Sequence, residues 1–89
     1  MITHRISKIA SKIAAVIAVE HALRVIDEGI KVYEELIETA KRSGLPDYEG
    51  TEIWRYHTTI DLLRAARRTI LWRAKRLGVN PRDLKEVSG

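Results

Sequence analysis

The chain lacks cysteine, phenylalanine and glutamine, and its 89 residues include only two prolines and five glycines. Without cysteine it forms no disulfide and offers no thiolate as a nucleophile or metal ligand. Its longest uninterrupted apolar run, residues 13–19, is seven residues long, whereas a membrane-spanning helix needs about 18. Charged residues resume at Glu20 without a small-residue cleavage site, so no secretory signal is expected. These absences predict an intracellular protein, cytoplasmic or within a virion, without a transmembrane segment.

Amide side chains are scarce and charged side chains are abundant. Asn80 is the single asparagine, there are eleven isoleucines, and 31% of the residues are charged. Proteins adapted to heat are depleted in thermolabile amides and enriched in ionisable residues. The composition therefore predicts a thermophilic source.

Negative charge is missing from the start of the chain. Residues 1–19 contain three bases and no acid, residues 20–52 contain nine acids and four bases, and residues 53–89 contain nine bases and three acids. The net charge of +4 thus comes from two basic segments on either side of an acidic one. Basic segments attract polyanions, so DNA or RNA is a candidate partner.

A long first helix is predicted over about residues 3–43. This stretch contains no proline and one glycine, Gly29, and good helix formers dominate it. Gly44 and Pro46 end the pattern. No turn residue supports a break near residues 19–21, so one continuous helix is expected. Its main apolar positions recur every seven residues, a spacing typical of coiled-coil-like packing: Ile9, Val16, Leu23, Ile30 and Ile37.

A turn and a second helix follow. The sequence GLPDYEG at residues 44–50 predicts the turn, and Thr51 can cap a second helix that runs to about residue 77. Asn80 and Pro81 begin a short helix over about residues 81–87. A short turn between long helices implies an antiparallel pair, so we predict an all-α helical hairpin, with residues 1–89 as a single domain. The core positions expected on the second helix are Ile53, Tyr56, Ile60, Leu63, Ala66, Ile70, Ala74 and Leu77.

The hairpin leaves the first part of the long helix without an intramolecular partner. Equal helical rise pairs residues whose numbers sum to roughly 94, which places Leu77 opposite Ile17 and leaves a protruding N-terminal arm. Exposed apolar side chains favour association, and a chain of this size has a small core, so an oligomeric bundle is expected. Tryptophan is enriched at subunit interfaces. The predicted interface comprises Ile2, Ile6, Ile9, Ile13, Trp54 and Trp72.

The same register places Asp27 opposite Arg67, which falls within the apolar stripe of the second helix. We interpret this as a buried structural ion pair, in which removal of one partner costs several kcal/mol. It belongs to opposed charged rows, with Glu20, Asp27 and Glu34 on the first helix and Arg64, Arg68 and Lys75 on the second.

Other basic residues of the second helix lie near the two tryptophans. Such a face can hold the nucleic-acid backbone and stack on bases, or it can form a subunit interface. We assign the tryptophans to the interface and the basic residues to nucleic acid. With the basic residues near the chain ends, the predicted nucleic-acid contacts are Arg5, Lys8, Lys12, Arg55, Arg73, Arg76 and Arg82.

No catalytic or metal-binding motif is found. His57 and Asp61 are one helical turn apart, but no third ligand accompanies them, so no metal, cofactor or catalytic residue is predicted. The layout of a long helix, a turn, a second helix and a short third helix resembles that of the small all-α chorismate mutases. The resemblance implies a dimer with active sites between helices. The residue types that such a site uses occur at Arg5, Arg24, Lys31, Lys41 and Glu52, but the glutamine that commonly closes the site is absent.

The leading hypothesis is a non-enzymatic, self-assembling structural protein with basic surfaces that contact nucleic acid, of the nucleoid or virion-coat type. One alternative is a small oligomeric enzyme with a site between helices, and another is a protein-binding regulator. For the enzyme, the first residues to suspect are Arg24, Glu52, Arg64 and Arg67.

Overall fold

Two long α-helices make up the described part of the protein. The computed structural model describes the backbone of residues 2–80 and the side chains of residues 7–80. Helix α1 spans Ile2–Arg42 and helix α2 spans Glu52–Arg76. Helix α1 is continuous through residues 19–21, as predicted, and each helix end lies within one residue of its predicted position. The predicted short helix at residues 81–87 lies outside the described residues.

Glycine ends both helices by the same mechanism. At the end of α1 the amide of Leu45 donates to the carbonyl of Ala40 at 3.0 Å, and Gly44 has a φ of 76°. At the end of α2 the amide of Val79 donates to the carbonyl of Ala74 at 2.9 Å, and Gly78 has a φ of 82°. This is the Schellman arrangement, in which a left-handed residue satisfies the last carbonyls and turns the chain back.

Helix α2 begins with the predicted cap. The hydroxyl oxygen of Thr51 accepts a hydrogen bond from the amide of Trp54 at 3.3 Å and donates one to the carbonyl of Tyr48 at 2.7 Å. These bonds satisfy one of the free amides of the first turn and fix the approach of the loop. The acid Glu52 in that turn is favourably placed at the positive end of the helix.

The chain divides into two compact units, each built from part of α1 and part of α2. Val25–Arg67 forms what we call the central unit, and Met1–Arg24 with Arg68–Gly89 forms the terminal unit. Within the central unit the helices run antiparallel, because residues later in α1 pair with residues earlier in the following chain: Asp27 with Arg67, Glu34 with Arg64, and Lys41 with Asp47. The fold is therefore the helical hairpin that the sequence predicts.

The core of the central unit lies next to the turn. Ile37, Ala40, Ile53 and Ile60 are buried together, and Ile30, Tyr33 and Tyr56 pack against them. At Gly29 the helices approach closely, since a Cβ there would lie 3.4 Å from Cδ1 of Leu63. Most predicted core positions are confirmed here, but Ala66 is exposed. The stripe passes from Leu63 to the half-buried Arg67 instead.

The terminal unit has a separate core formed by Val16, Val19, Leu23, Ala74 and Val79. The prediction that Leu77 is a core residue opposite Ile17 is wrong, because these side chains are 66% and 57% exposed. The left-handed turn at Gly78 brings Val79, which is 2% exposed, into the core in place of Leu77. Within the described residues, neither helix contains a stretch apolar enough to cross a membrane.

Candidate nucleic-acid interface

Positive charge is concentrated in the terminal unit. By sequence this unit has ten bases and three acids, whereas the central unit has six bases and nine acids. Among the described side chains of the terminal unit there are seven bases and a single acid, Glu20. The two ends of the chain, which are far apart in sequence, thus combine their basic residues in one unit because α2 returns antiparallel to α1.

The acid Glu20 is already neutralised by a base on its own helix. Its Oε1 accepts a hydrogen bond from Arg24 at 2.6 Å, and the Glu20 side chain is 11% exposed. The other carboxylate oxygen, Oε2, is buried and accepts no hydrogen bond from the described residues. Ile17 and His21 line a small cavity of about 150 Å³ with this pair. The remaining six bases of the described terminal unit face no carboxylate of the described residues within ion-pair distance: Lys8, Lys12, Arg68, Arg73, Lys75 and Arg76.

Two of these bases line an open groove. Ser7 and Ser11 are one turn apart on α1, as are Lys8 and Lys12, and together with Ala15 they form one wall. Leu77 and Gly78 form the other wall, and the groove holds about 380 Å³. Lys8 and Lys12, both predicted to contact nucleic acid, are exposed there beside hydroxyl groups that can also bind phosphate.

The other four bases lie on α2 around or next to Trp72. The guanidinium carbon of Arg76 lies 4.9 Å from the centre of the Trp72 ring, which is a cation–π contact. Arg68 and Lys75 are four residues before and three residues after Trp72, so they are its neighbours on the helix surface. Arg73 follows Trp72 directly and is exposed. We call the set of Arg68, Trp72, Lys75 and Arg76 the Trp72 patch.

The surroundings of Trp54, in the central unit, are different. Its neighbours one turn away in α2 are His57 and Thr58, and neither is a lysine or an arginine. Arg55, predicted to contact nucleic acid, lies 3.4 Å from Oε1 of Glu52 in an exposed ion pair. Arg55 is therefore a paired base of the central unit, unlike the six bases of the terminal unit.

The residues of the predicted subunit interface are exposed wherever their side chains are described. Ile9 and Ile13 are 56% and 54% exposed, and Ile17, which follows at the same spacing of four, is also exposed. Trp54 and Trp72 are 41% and 58% exposed. The side chains of Ile2, Ile6 and Arg5, and the whole of Arg82, lie outside the described residues.

Asp27 and Arg67 meet as the register requires. The Nε atom of Arg67 donates to Oδ1 of Asp27 at 3.0 Å. The interpretation of this pair as buried is wrong, because the side chains are 42% and 52% exposed. Arg67 is half-buried, and a long charged side chain at such a position can reach water with its charged end.

Each residue suspected for the enzyme alternative is held in an ion pair. Arg24 pairs with Glu20, Glu52 with Arg55, Arg64 with Glu34, and Arg67 with Asp27. Glu52 and Arg64 are twelve residues apart on one helix, or about 18 Å along its axis. Glu52 is therefore distant along α2 from Arg64, and Arg67 lies one turn further on.

Sequence reasoning missed three members of the basic surface or its surroundings. The hairpin register predicts internal ion pairs for Arg68 and Lys75, yet neither pairs with a described carboxylate. The register also predicts that Glu20 pairs across the two helices, but it pairs with Arg24 on its own helix. A count of cations three and four residues from Trp72 finds Arg68, Lys75 and Arg76, a signal present in the sequence.

Protein-family models, curated proteins and solved structures give no significant match to this chain.

Proposed function

We propose that this protein is a non-enzymatic, self-assembling structural protein that contacts DNA or RNA through its terminal unit, as a nucleoid or virion-coat protein of a thermophile does. The observation that carries the proposal is the set of six bases that have no partner among the described carboxylates of the terminal unit. Cations that a protein does not neutralise internally are available for phosphate groups.

Phosphate binding by such a surface needs no particular fold. Each phosphate that a lysine or arginine neutralises releases condensed counterions, and this release favours binding at low salt. The bases occur in both helices of the unit, with Lys8 and Lys12 on α1 and the others on α2. A surface with several separate cations supports backbone contact without reading of base sequence, which suits a coat protein.

Self-assembly is supported by the isoleucines of α1. Ile9, Ile13 and Ile17 recur every four residues, so they lie along one side of the helix, and each is more than half exposed. A row of exposed branched apolar side chains favours burial against another surface. A second copy of this chain offers the same row, and contact between copies arranges the bound nucleic acid along an assembly.

The experiment compares two charge reversals of equal size. We expect Arg73→Glu to weaken binding of a fluorescein-labelled oligonucleotide and to reduce the slope of log affinity against log salt, by about 0.7 for a single strand or about 0.9 for a duplex, as the loss of one phosphate contact requires. Lys31→Glu, an exposed change in the acidic central unit, is the control and leaves the slope unchanged. Fluorescence anisotropy at several salt concentrations measures both quantities.

Two results contradict the proposal. If the unmodified protein does not bind the oligonucleotide at low salt, the basic surface does not serve nucleic acid. If both reversals change affinity and slope equally, net charge rather than the terminal unit governs binding.

A further inference from the structure

The Trp72 patch combines a large exposed aromatic surface with cations. Trp72 is 58% exposed, although an indole ring is among the most favourable side chains to bury. Arg76 lies over its ring at 4.9 Å, and Arg68 and Lys75 occupy neighbouring positions one turn away. The contact with Arg76 restricts the indole ring, which lowers the entropic cost of binding to it.

A second copy docking through the same patch is disfavoured by charge. Such an interface places Arg68, Lys75 and Arg76 of one molecule against the same cations of the other, and like charges that face each other destabilise association. None of these three residues is neutralised by a described carboxylate. The patch therefore fits a partner that is anionic and has a flat surface to place on the indole ring.

Nucleic acid has anionic phosphates and flat bases, and its single-stranded form exposes both at once. In a duplex the base faces are stacked on one another, and contacts to the backbone need no aromatic residue. In a single strand each base has a free π-face that stacks on aromatic side chains while cations follow the phosphates.

We infer that the Trp72 patch is a stacking site for single-stranded nucleic acid, with Trp72 under a base and Arg68, Lys75 and Arg76 at the adjoining phosphates. The inference rests on the proposed function and specifies its ligand class. It moves Trp72 from the predicted subunit interface to the nucleic-acid surface, whereas Trp54 keeps its predicted place at the interface.

The chain provides its own matched control, because it has two tryptophans. Trp54 is 41% exposed on the same helix but has no lysine or arginine one turn away within α2. In Trp54→Phe the fluorescence reports Trp72 alone, and in Trp72→Phe it reports Trp54 alone. The full chain is titrated with an unlabelled 20-nucleotide DNA strand and, separately, with the duplex of the same sequence.

We expect the single strand to quench the emission of Trp72 and to leave that of Trp54 unchanged, and the duplex to quench Trp72 much less. We also expect Trp72→Ala to weaken single-strand binding by about 5- to 150-fold in anisotropy, the loss of one base stack, with little change for the duplex. Trp72→Tyr retains a ring and recovers part of the affinity. Circular dichroism checks that these exposed substitutions keep the helices folded.

Three results overturn the inference. If the single strand binds but neither quenches Trp72 nor depends on its ring, stacking is wrong while backbone binding, and with it the proposed function, stands. If neither form of DNA binds, both proposals fail. If Trp72 emission instead changes with protein concentration in the absence of DNA, the patch is covered by a second copy.

Discussion

The ion pair between Asp27 and Arg67 is a single contact that helical register predicts. The two residues are forty positions apart, and their side chains meet at 3.0 Å. Equal rise along two antiparallel helices is sufficient to bring them together. Register does not predict how deeply the pair is buried, and both side chains remain about half exposed. Solvent screening then limits the contribution of the pair to stability.

For Asp27→Ala we therefore expect a loss of only about 0.5 kcal/mol in the free energy of unfolding, rather than the several kcal/mol of a buried pair. Urea unfolding followed by circular dichroism measures this loss. Glu28→Ala, at the exposed neighbouring position, corrects for the general effect of removing an acid from the helix. A double-mutant cycle with Arg67→Ala isolates the pair. A coupling energy above about 2 kcal/mol would show that the pair behaves as buried.

At the scale of the element, α1 is a continuous helix of 41 residues that contributes to both units. In the described part of α1 the charged residue Glu20 is buried, because it is four residues after Val16 and three before Leu23 and so lies on the packed face. One carboxylate oxygen is bonded to Arg24 and the other is buried without a described donor. A buried carboxylate that is only partly satisfied costs stability.

Replacing Glu20 and removing its partner should have opposite effects. Glu20→Leu extends the apolar stripe, and we expect it to raise the free energy of unfolding by about 1 kcal/mol. Arg24→Ala leaves the buried carboxylate without its donor, and we expect a loss of about 1–2 kcal/mol. Both values come from urea unfolding of the isolated variants.

The control for Arg24→Ala is Arg42→Ala. Arg42 pairs with Glu38 at the same spacing of four, but both side chains are largely exposed, at 72% and 69%. We expect its loss to be within about 0.5 kcal/mol. Equal losses for the two arginine variants would mean that the burial of Glu20 has no energetic consequence.

At the scale of the whole molecule, charge is distributed unevenly between the two units and part of the apolar surface is exposed. The terminal unit has ten bases and three acids, an excess of seven bases. The central unit has six bases and nine acids, an excess of three acids. The exposed isoleucines of α1 belong to the basic unit. Association through them has to overcome like-charge repulsion, which salt or bound nucleic acid screens.

We expect the double substitution Ile9→Glu with Ile13→Glu to lower the mass of the assembled protein, because burial of each isoleucine is lost and a carboxylate resists burial. Light scattering after size exclusion, in about 0.15 M salt and after nuclease treatment, gives the mass. Val32→Glu, at a comparably exposed position of the central unit (53%), is the control. An unchanged mass for the double variant, or an equal decrease for Val32→Glu, removes the arm from the interface.

The sequence by itself determined the helices, their ends and their approximate register. These features can be recognised in the sequence because each depends on only a few neighbouring residues: helical periodicity, the cap at Thr51 and the glycine after each helix. The same holds for the charge of each segment and for the pairing of Asp27 with Arg67, which follows from rise alone.

Only the tertiary structure decided which side chains lose contact with water. The turn at Gly78 puts Val79 rather than Leu77 in the core. Glu20 is buried although it is charged, and Arg67 remains half exposed although it falls within the apolar stripe. Tertiary packing likewise decided that the bases around Trp72 have no described acid as partner. Burial and pairing depend on which atoms face each other across the helices, and periodicity along one helix does not specify them.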